Sequence, residues 1–381
     1  MGDDTTARRR LLVGDLHNHS MLSDGEGDPL TAFAQLRAAG LDFAALTDHA
    51  SIPRHLVGGL RVEDYPSASG FPLVRTAPRS LDAAEWLAAG RFADLHDDPG
   101  EFTAIRGFEW TEPWLGHINV WGSTEFLPVT TPGTVTGLHD WLVAEQPDAL
   151  FGYNHPGREE GRFEGFRHDA RLVERMVSLE MFNRYDDYIA VGVRHGEPSP
   201  LLACLRAGWR PGLIGVSDEH GRDYGLRGKG RTGVWAERND RAAVAAALLR
   251  REVFATREPG LRLSATLDGA PLGAQVTPAA QRLLVDLDAT ERWTDHDLVA
   301  QVLVDDGGLL PAMLTEQPLE PRGLTSVDLD PPGRCRWLVL RVAVEGTHDR
   351  SIGLDERHPL TSRALAYGSP WWLGSDEADA D

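Results

Sequence analysis

The chain divides by the spacing of its apolar positions. Up to about residue 258, short continuous apolar runs alternate with stretches of helical spacing. Leu11–Leu16, Phe43–Thr47, Ala104–Phe108, Ile118–Trp121, Ala149–Tyr153, Met176–Met181 and Leu213–Ser217 read as buried strands, being short and bounded by polar or turn residues. Asp28 followed by Pro29 offers a helix N-cap with proline in the first turn, and Gly40 marks the end of that helix. Further helices are predicted near Leu81–Ala89, Thr136–Gln146 and Pro200–Ala207, and from an Asp240 cap to Arg251 ahead of a strand at Val253–Thr256. Repeated strand–helix alternation predicts a parallel α/β sheet or barrel.

Beyond Pro259 the period falls to two. Leu261, Leu263, Ala265 and Leu267 alternate with more polar positions, as do Leu338, Leu340, Val342 and Val344. With further strands at Leu283–Leu287 and Leu298–Val304, this predicts a small antiparallel, sandwich-like β domain over 259–370. The acidic segment 371–381 is expected to be a disordered tail. Ser51–Ser80, rich in Pro, Gly and Ser, is long for a connection and is expected to be a functional loop or insertion within a first domain of 1–258.

Composition narrows the functions. The 381 residues leave room for a barrel with an addition. A net charge of −20 argues against nucleic acid or an acidic membrane surface as partner. Two cysteines, Cys204 and Cys335, make neither a disulfide framework nor a Cys-rich zinc site. No apolar run approaches the ~18 residues of a bilayer span, and no signal-peptide core is evident, so a cytoplasmic protein is expected.

Of 14 histidines, eleven fall between His17 and His220. In a parallel barrel, reactive side chains stand where strands give way to loops at their C-terminal ends. His17-Asn18-His19 and Asp24 follow the first strand, Asp48-His49 the second, and Glu109 the third. His117 opens INVW, Asn154-His155 follow ALFGY, Glu180 lies in VSLEMFN, and Asp218-Glu219-His220 follow LIGVS. Each motif alone is a weak signal, but the set is not. Imidazoles with a few carboxylates suit Zn²⁺, Mn²⁺ or Fe²⁺, and they are too many for one tetrahedral ion, so two or three ions are expected.

GDLHNHSMLSDGEG, ALTDHA, GFEWTEPWLGHINV, YNHPG and GVSDEHG, in that order, resemble the PHP (polymerase and histidinol phosphatase) family of metal-dependent phosphoesterases over approximately residues 11–256. GFEWT followed by GHINV is most similar to the carbaryl-hydrolase-like branch. The resemblance implies a distorted (β/α)7 barrel with a trinuclear site. It further implies one ion on His17, His19, Glu109 and Asp218, a second sharing Glu109 with His117 and His155, and a third on Asp24, His49 and His220. Asp24 stands where many members carry histidine. Asp48, beside His49, is expected to orient rather than ligate.

Hydrolysis on such a site would use a hydroxide between the Glu109-bridged ions, with Asp218 or His220 as candidates for the leaving-group proton. Arg184 and Arg222 are candidate substrate contacts, because guanidinium suits phosphate. Trp110, near the ligand loop, is a candidate wall for an apolar leaving group. The leading expectation is a phosphoesterase acting on a small phosphorylated molecule. The alternatives are a carbamate, ester or amide hydrolase on the same ions, and a metal-binding protein without catalysis.

Overall fold

The first nine strands build a curved wall, in a computed structural model that describes residues 9–51, 79–129, 133–330 and 335–374. They are β1 (Arg10–Asp15), β2 (Phe43–Leu46), the short β3 (His49–Ala50), β4 (Thr103–Glu112), β5 (Gly116–Trp121), β6 (Leu150–Tyr153), β7 (Met176–Asn183), the short β8 (Asp186–Asp187) and β9 (Gly212–Val216). β10 (Arg231–Ala236) and β11 (Val253–Thr256) extend the wall past β1. The hydrogen-bonded order is β9-β7-β6-β5-β4-β2-β1-β10-β11.

The expected (β/α)7 barrel is corrected in two respects. First, the wall is mixed. β5 runs antiparallel to both β4 and β6, and β10 antiparallel to β1 and β11. Only Pro113–Leu115 separate β4 from β5, too short for the crossover that a parallel return requires. Second, no ladder joins β9 to β1 or β10 among the described residues, so the sheet is open there. The gap is nonetheless narrow, since a Cβ on Gly215 would come within 2.7 Å of the Arg231 carbonyl and 2.8 Å of that of Thr256. Past the strand ends the loops span it: Asp218 N donates to His17 O and His19 N to Glu219 O, both at 2.9 Å.

Helix formation follows the capping signals. Asp28 accepts from the backbone of Leu30 and Thr31 at the head of Pro29–Ala38, Thr134 from Gly137 ahead of Val135–Ala144, and Asp240 from Ala243 ahead of Arg241–Leu249. Val244, Ala247 and Leu248 of the last helix pack with Leu12, Phe43, Ala45, Val177 and Ile214 in one apolar cluster. The helix expected near Leu81–Ala89 spans Ala83–His96, with Asp82 and Glu85 forming a reciprocal capping box. Residues 52–78, most of the expected insertion, lie outside the described residues.

The second half holds ten strands: β12 (Arg262–Leu267), β13 (Ala270–Pro271), β14 (Gln275–Val276), β15 (Arg282–Asp288), β16 (Leu298–Val304), β17 (Ala312–Leu319), β18 (Arg322–Asp328), β19 (Trp337–Val344), β20 (Arg363–Gly368) and β21 (Trp371–Leu373). β13-β12-β15-β18 form one antiparallel sheet, and β17-β16-β19-β20 another. Their inner faces share one core, with Leu263, Ala265, Leu283 and Val285 from the first and Ala300, Val302, Leu340 and Val342 from the second. β11 and β20 pair antiparallel, Phe254 with Gly368 and Thr256 with Ala366, so one sheet runs through both halves. The expected tail is also corrected: Trp371–Leu373 form a strand against β14 and β19, because Trp371 and Trp372 are buried. Residues 375–381 lie outside the described residues. No helix among the described residues is long and apolar enough to cross a membrane.

Candidate metal centre

β4 places the central carboxylate. The strand runs to Glu112, so Glu109 lies within it rather than after it. Alternation turns Phe108 and Trp110 into the apolar core and leaves Glu109 and Thr111 on the opposite face, with His49 of β3 and Asn119 of β5 beside Glu109. Glu109 is fully buried. Its Oε1 accepts from Asn154 Nδ2 at 2.7 Å and lies 3.2 Å from His17 Nε2 and 3.3 Å from both His117 Nδ1 and His155 Nε2. Its Oε2 is 2.8 Å from His49 Nδ1 and 3.6 Å from His19 Nε2. One carboxylate thus meets five imidazoles.

The second anchor is Asp218, at the end of β9. Its Oδ1 lies 3.3 Å from His19 Nε2 and His220 Nδ1 and 3.5 Å from His17 Nε2. Its Oδ2 faces Arg158 at 3.5 Å and Arg184 at 3.4 Å. Asp24, nearer solvent, reaches His49 Nε2 at 3.4 Å and His220 Nε2 at 3.5 Å. The backbone is strained at two of these positions, with φ of 26° at His155 and 47° at Asp218. Asp48 accepts from Ser20 N, Ser20 Oγ and Ser23 Oγ at 2.6–2.8 Å, which shapes the loop carrying Asp24.

The donor set fits divalent transition cations. His17 Nε2 and His19 Nε2 are 3.0 Å apart, and His49 Nε2 and His220 Nε2 3.3 Å, so each pair needs a proton or a cation between its lone pairs. Donor atoms lie within 4.8 Å of one another in four groups: His19, Asp24, His49 and His220; His17, His19 and Asp218; His49, Glu109 and His117; and His117, His155 and Glu159. Borderline nitrogen ligands with few carboxylates suit a divalent transition ion rather than Ca²⁺.

Charges in the cluster compensate one another. Burial alone would raise the carboxyl of Glu109, but His117, His17 and His49 outweigh it and hold it well below the usual range. The same contest, decided by His17, His19 and His220, holds Asp218 low. Burial disfavours a charged His17, yet Glu109, Glu180 and Asp218 raise it well above an ordinary imidazole. His19 is pushed well below the ordinary value by burial and by His220 and His49, so it is a neutral lone-pair donor. Asp15, beneath the cluster, is raised to about 6 by burial, with Ser217 hydrogen bonds opposing.

The structure brings His17, His19, Asp24, His49, Glu109, His117, His155, Asp218 and His220 together, in groupings that differ from those the resemblance implies: His19 also stands with the outer group, and Glu159 joins His117 and His155. Arg184 faces the cluster, its guanidinium 3.1 Å from His220 Nδ1. One expected substrate contact is corrected. Trp110 is fully buried in the core, because strand alternation turns it away from Glu109. Arg222 is exposed and makes no hydrogen bond or ion pair with the cluster. Arg158 and Glu159 were not anticipated. Their signal was the charged run GREEG directly after YNHP, which reads as an ordinary polar loop.

A family model described as a protein of unknown function, DUF3604, matches residues 211–270, a segment that includes Asp218 and His220. No curated protein matches the chain. Among solved structures, a two-domain protein from Bacteroides vulgatus containing a predicted PHP-like metal-dependent phosphoesterase is similar at 16% identity and a TM-score of 0.46, covering 97% of each chain. An amidohydrolase from Chromobacterium violaceum, with bound sulfate and no metal, is similar at 16% identity and a TM-score of 0.30, over 56% of this chain and 90% of that one.

Proposed function

We propose that this chain is a metal-dependent hydrolase of small phosphoesters. The observation that carries the reading is the buried Glu109 carboxylate ringed by five imidazoles, with two guanidiniums on the far side of Asp218. His17, His19, Glu109 and Asp218 would hold one ion, Glu109, His117 and His155 a second, and Asp24, His49 and His220 a third. When bound, two or three Zn²⁺, Mn²⁺ or Fe²⁺ ions supply Lewis-acid stabilisation of phosphoryl oxygens and a water acidic enough to attack at neutral pH.

The chain's own residues do the rest. Glu180 and Glu159 orient the His17 and His155 rings, as carboxylates behind metal-ligating histidines do. Arg158 and Arg184 supply positive charge for the phosphoryl group beside Asp218. Asp218 or His220 could give the leaving-group proton only after release from its ion, since an ion-bound carboxylate or imidazole nitrogen carries no proton to give. The net charge of −20 supports a small substrate rather than nucleic acid or an acidic membrane surface. Trp110 is in the core and lends the carbamate alternative no apolar wall.

The test is metal analysis with a substrate panel of nitrophenyl phosphate, bis-nitrophenyl phosphate, nitrophenyl acetate and a naphthyl carbamate, assayed with Mn²⁺ or Zn²⁺. Expected are more than one bound transition ion per chain and turnover of a phosphoester. Turnover of the carbamate or acetate alone would replace the substrate class, and bound metal with no turnover of any ester would leave a metal-binding protein.

A further inference from the structure

The β domain reaches the metal centre through one hairpin. β7 and β8 turn at Arg184 and Tyr185, pairing Phe182 with Asp187 and Asn183 with Asp186. Arg184, at the tip, has a φ of 54°, and is fixed there by its N donating to Val216 O at 3.1 Å and its O accepting from Gly230 N at 3.0 Å. Asn183 Oδ1 and Tyr188 Oη, from the same segment, accept from Arg158 at 3.2 and 3.3 Å. Both guanidiniums that face Asp218 are therefore placed by residues 183–188.

The opposite side of the hairpin is held from the β domain. Asp187, buried, accepts from Tyr367 Oη at 2.8 and 3.0 Å. Tyr367 Oη accepts in turn from Arg341 Nε at 2.9 Å. Arg341 is fully buried and also donates to Gln301, to Ser362 Oγ and to Leu360 O. Arg257 donates to Tyr185 O at 2.9 Å and pairs with Asp349. Apolar residues of similar shape would join two domains at least as stably as this buried Arg–Tyr–Asp chain. What they would lack is directional hold on the hairpin.

We propose that Tyr367 is a positioning residue: through Asp187 it sets Arg184 against the metal centre, and the β domain serves the site by holding its guanidinium-bearing wall. This rests on the reading of Arg184 as a substrate contact.

Tyr367→Phe tests it, since the ring packed 5.2 Å from that of Phe182 is kept and only the hydroxyl is lost. Expected are cooperative unfolding, unchanged Mn²⁺ content, amide exchange at 184–190 accelerated about fivefold or more, and KM for nitrophenyl phosphate raised about tenfold at nearly constant kcat. In an Arg184→Ala background the same change should leave KM within about twofold. Unchanged exchange at 184–190, or an equal KM increase in both backgrounds, would overturn the proposal. If the wild-type protein cleaves no phosphoester, the proposed function fails, and the exchange measurement still decides the Tyr367 link. Should Tyr367→Phe not fold, Asp187→Asn, which keeps an acceptor for Ile189 N, gives the same readouts with the same expected direction.

Discussion

Glu180 holds His17 in one tautomer: its Oε1 lies 2.8 Å from His17 Nδ1, and a carboxylate can only accept. Nε2 is thereby turned toward Glu109 and Asp218. The other oxygen of Glu180 accepts from His155 N at 2.6 Å and Asn183 Nδ2 at 2.9 Å, tying two ligand-bearing loops together. Glu180→Gln should keep the fold and weaken transition-metal affinity about 10–100-fold, measured by calorimetric titration with Mn²⁺. Wild-type affinity would remove Glu180 from the site's support.

Glu109→Gln retains shape and loses the charge shared by five imidazoles. Turnover on any phosphoester the wild type cleaves should fall by about a thousandfold or more, with unfolding still cooperative. Bound-metal content and turnover, measured on one preparation, check this, and wild-type turnover would contradict a bridging role.

Trp110→Phe should act on stability alone. The side chain is buried among Phe108, Ile118 and Val120, so a loss of about 1–3 kcal/mol in denaturant titration is expected with KM unchanged. A raised KM at unchanged stability would return Trp110 to the substrate pocket.

His139 gives a pH dependence away from the metal centre. Burial, next to Phe151 and Trp209, lowers its imidazole from 6.5 to about 4. The unfolded chain takes up this proton near 6.5 and the folded chain only near 4, so stability is lost as pH falls between those values, by at most about 3 kcal/mol. His139→Phe should flatten that part of the profile, read as the difference in unfolding free energy between variant and wild type at pH 7 and pH 4.5.

Much of the centre was legible because most of its histidines and carboxylates fall in short motifs next to apolar strand runs, such as His17-Asn18-His19 and Asp218-Glu219-His220. Asp28, Pro29 and Asp240 were legible as caps for the same reason: their chemistry is local. The direction of β5 was not, since its apolar run INVW carries no mark of polarity along the sheet, and only the brevity of the Pro113–Leu115 turn records it. β10 was not anticipated either. Arg231–Ala236 begins with arginine and threonine, and these are buried by contacts to Gly225 O and Gly215 O that have no local signature. Trp110 was misplaced because nearness to Glu109 in sequence was taken for nearness in space, when adjacent strand residues face opposite ways.

The pairing of β11 with β20 has a consequence for anyone cutting or recombining this chain. The change of hydrophobic period near residue 258 looks like a seam, yet a fragment ending there would bare the hydrogen-bonding edge of Val253–Thr256, which Gly368, Tyr367 and Ala366 now cover. Uncapped apolar edges recruit other strands, so such a fragment should self-associate rather than persist as a smaller catalyst. Modularity in the text of this protein is not modularity in its architecture, and a viable chimera would have to exchange β20 together with the wall it completes.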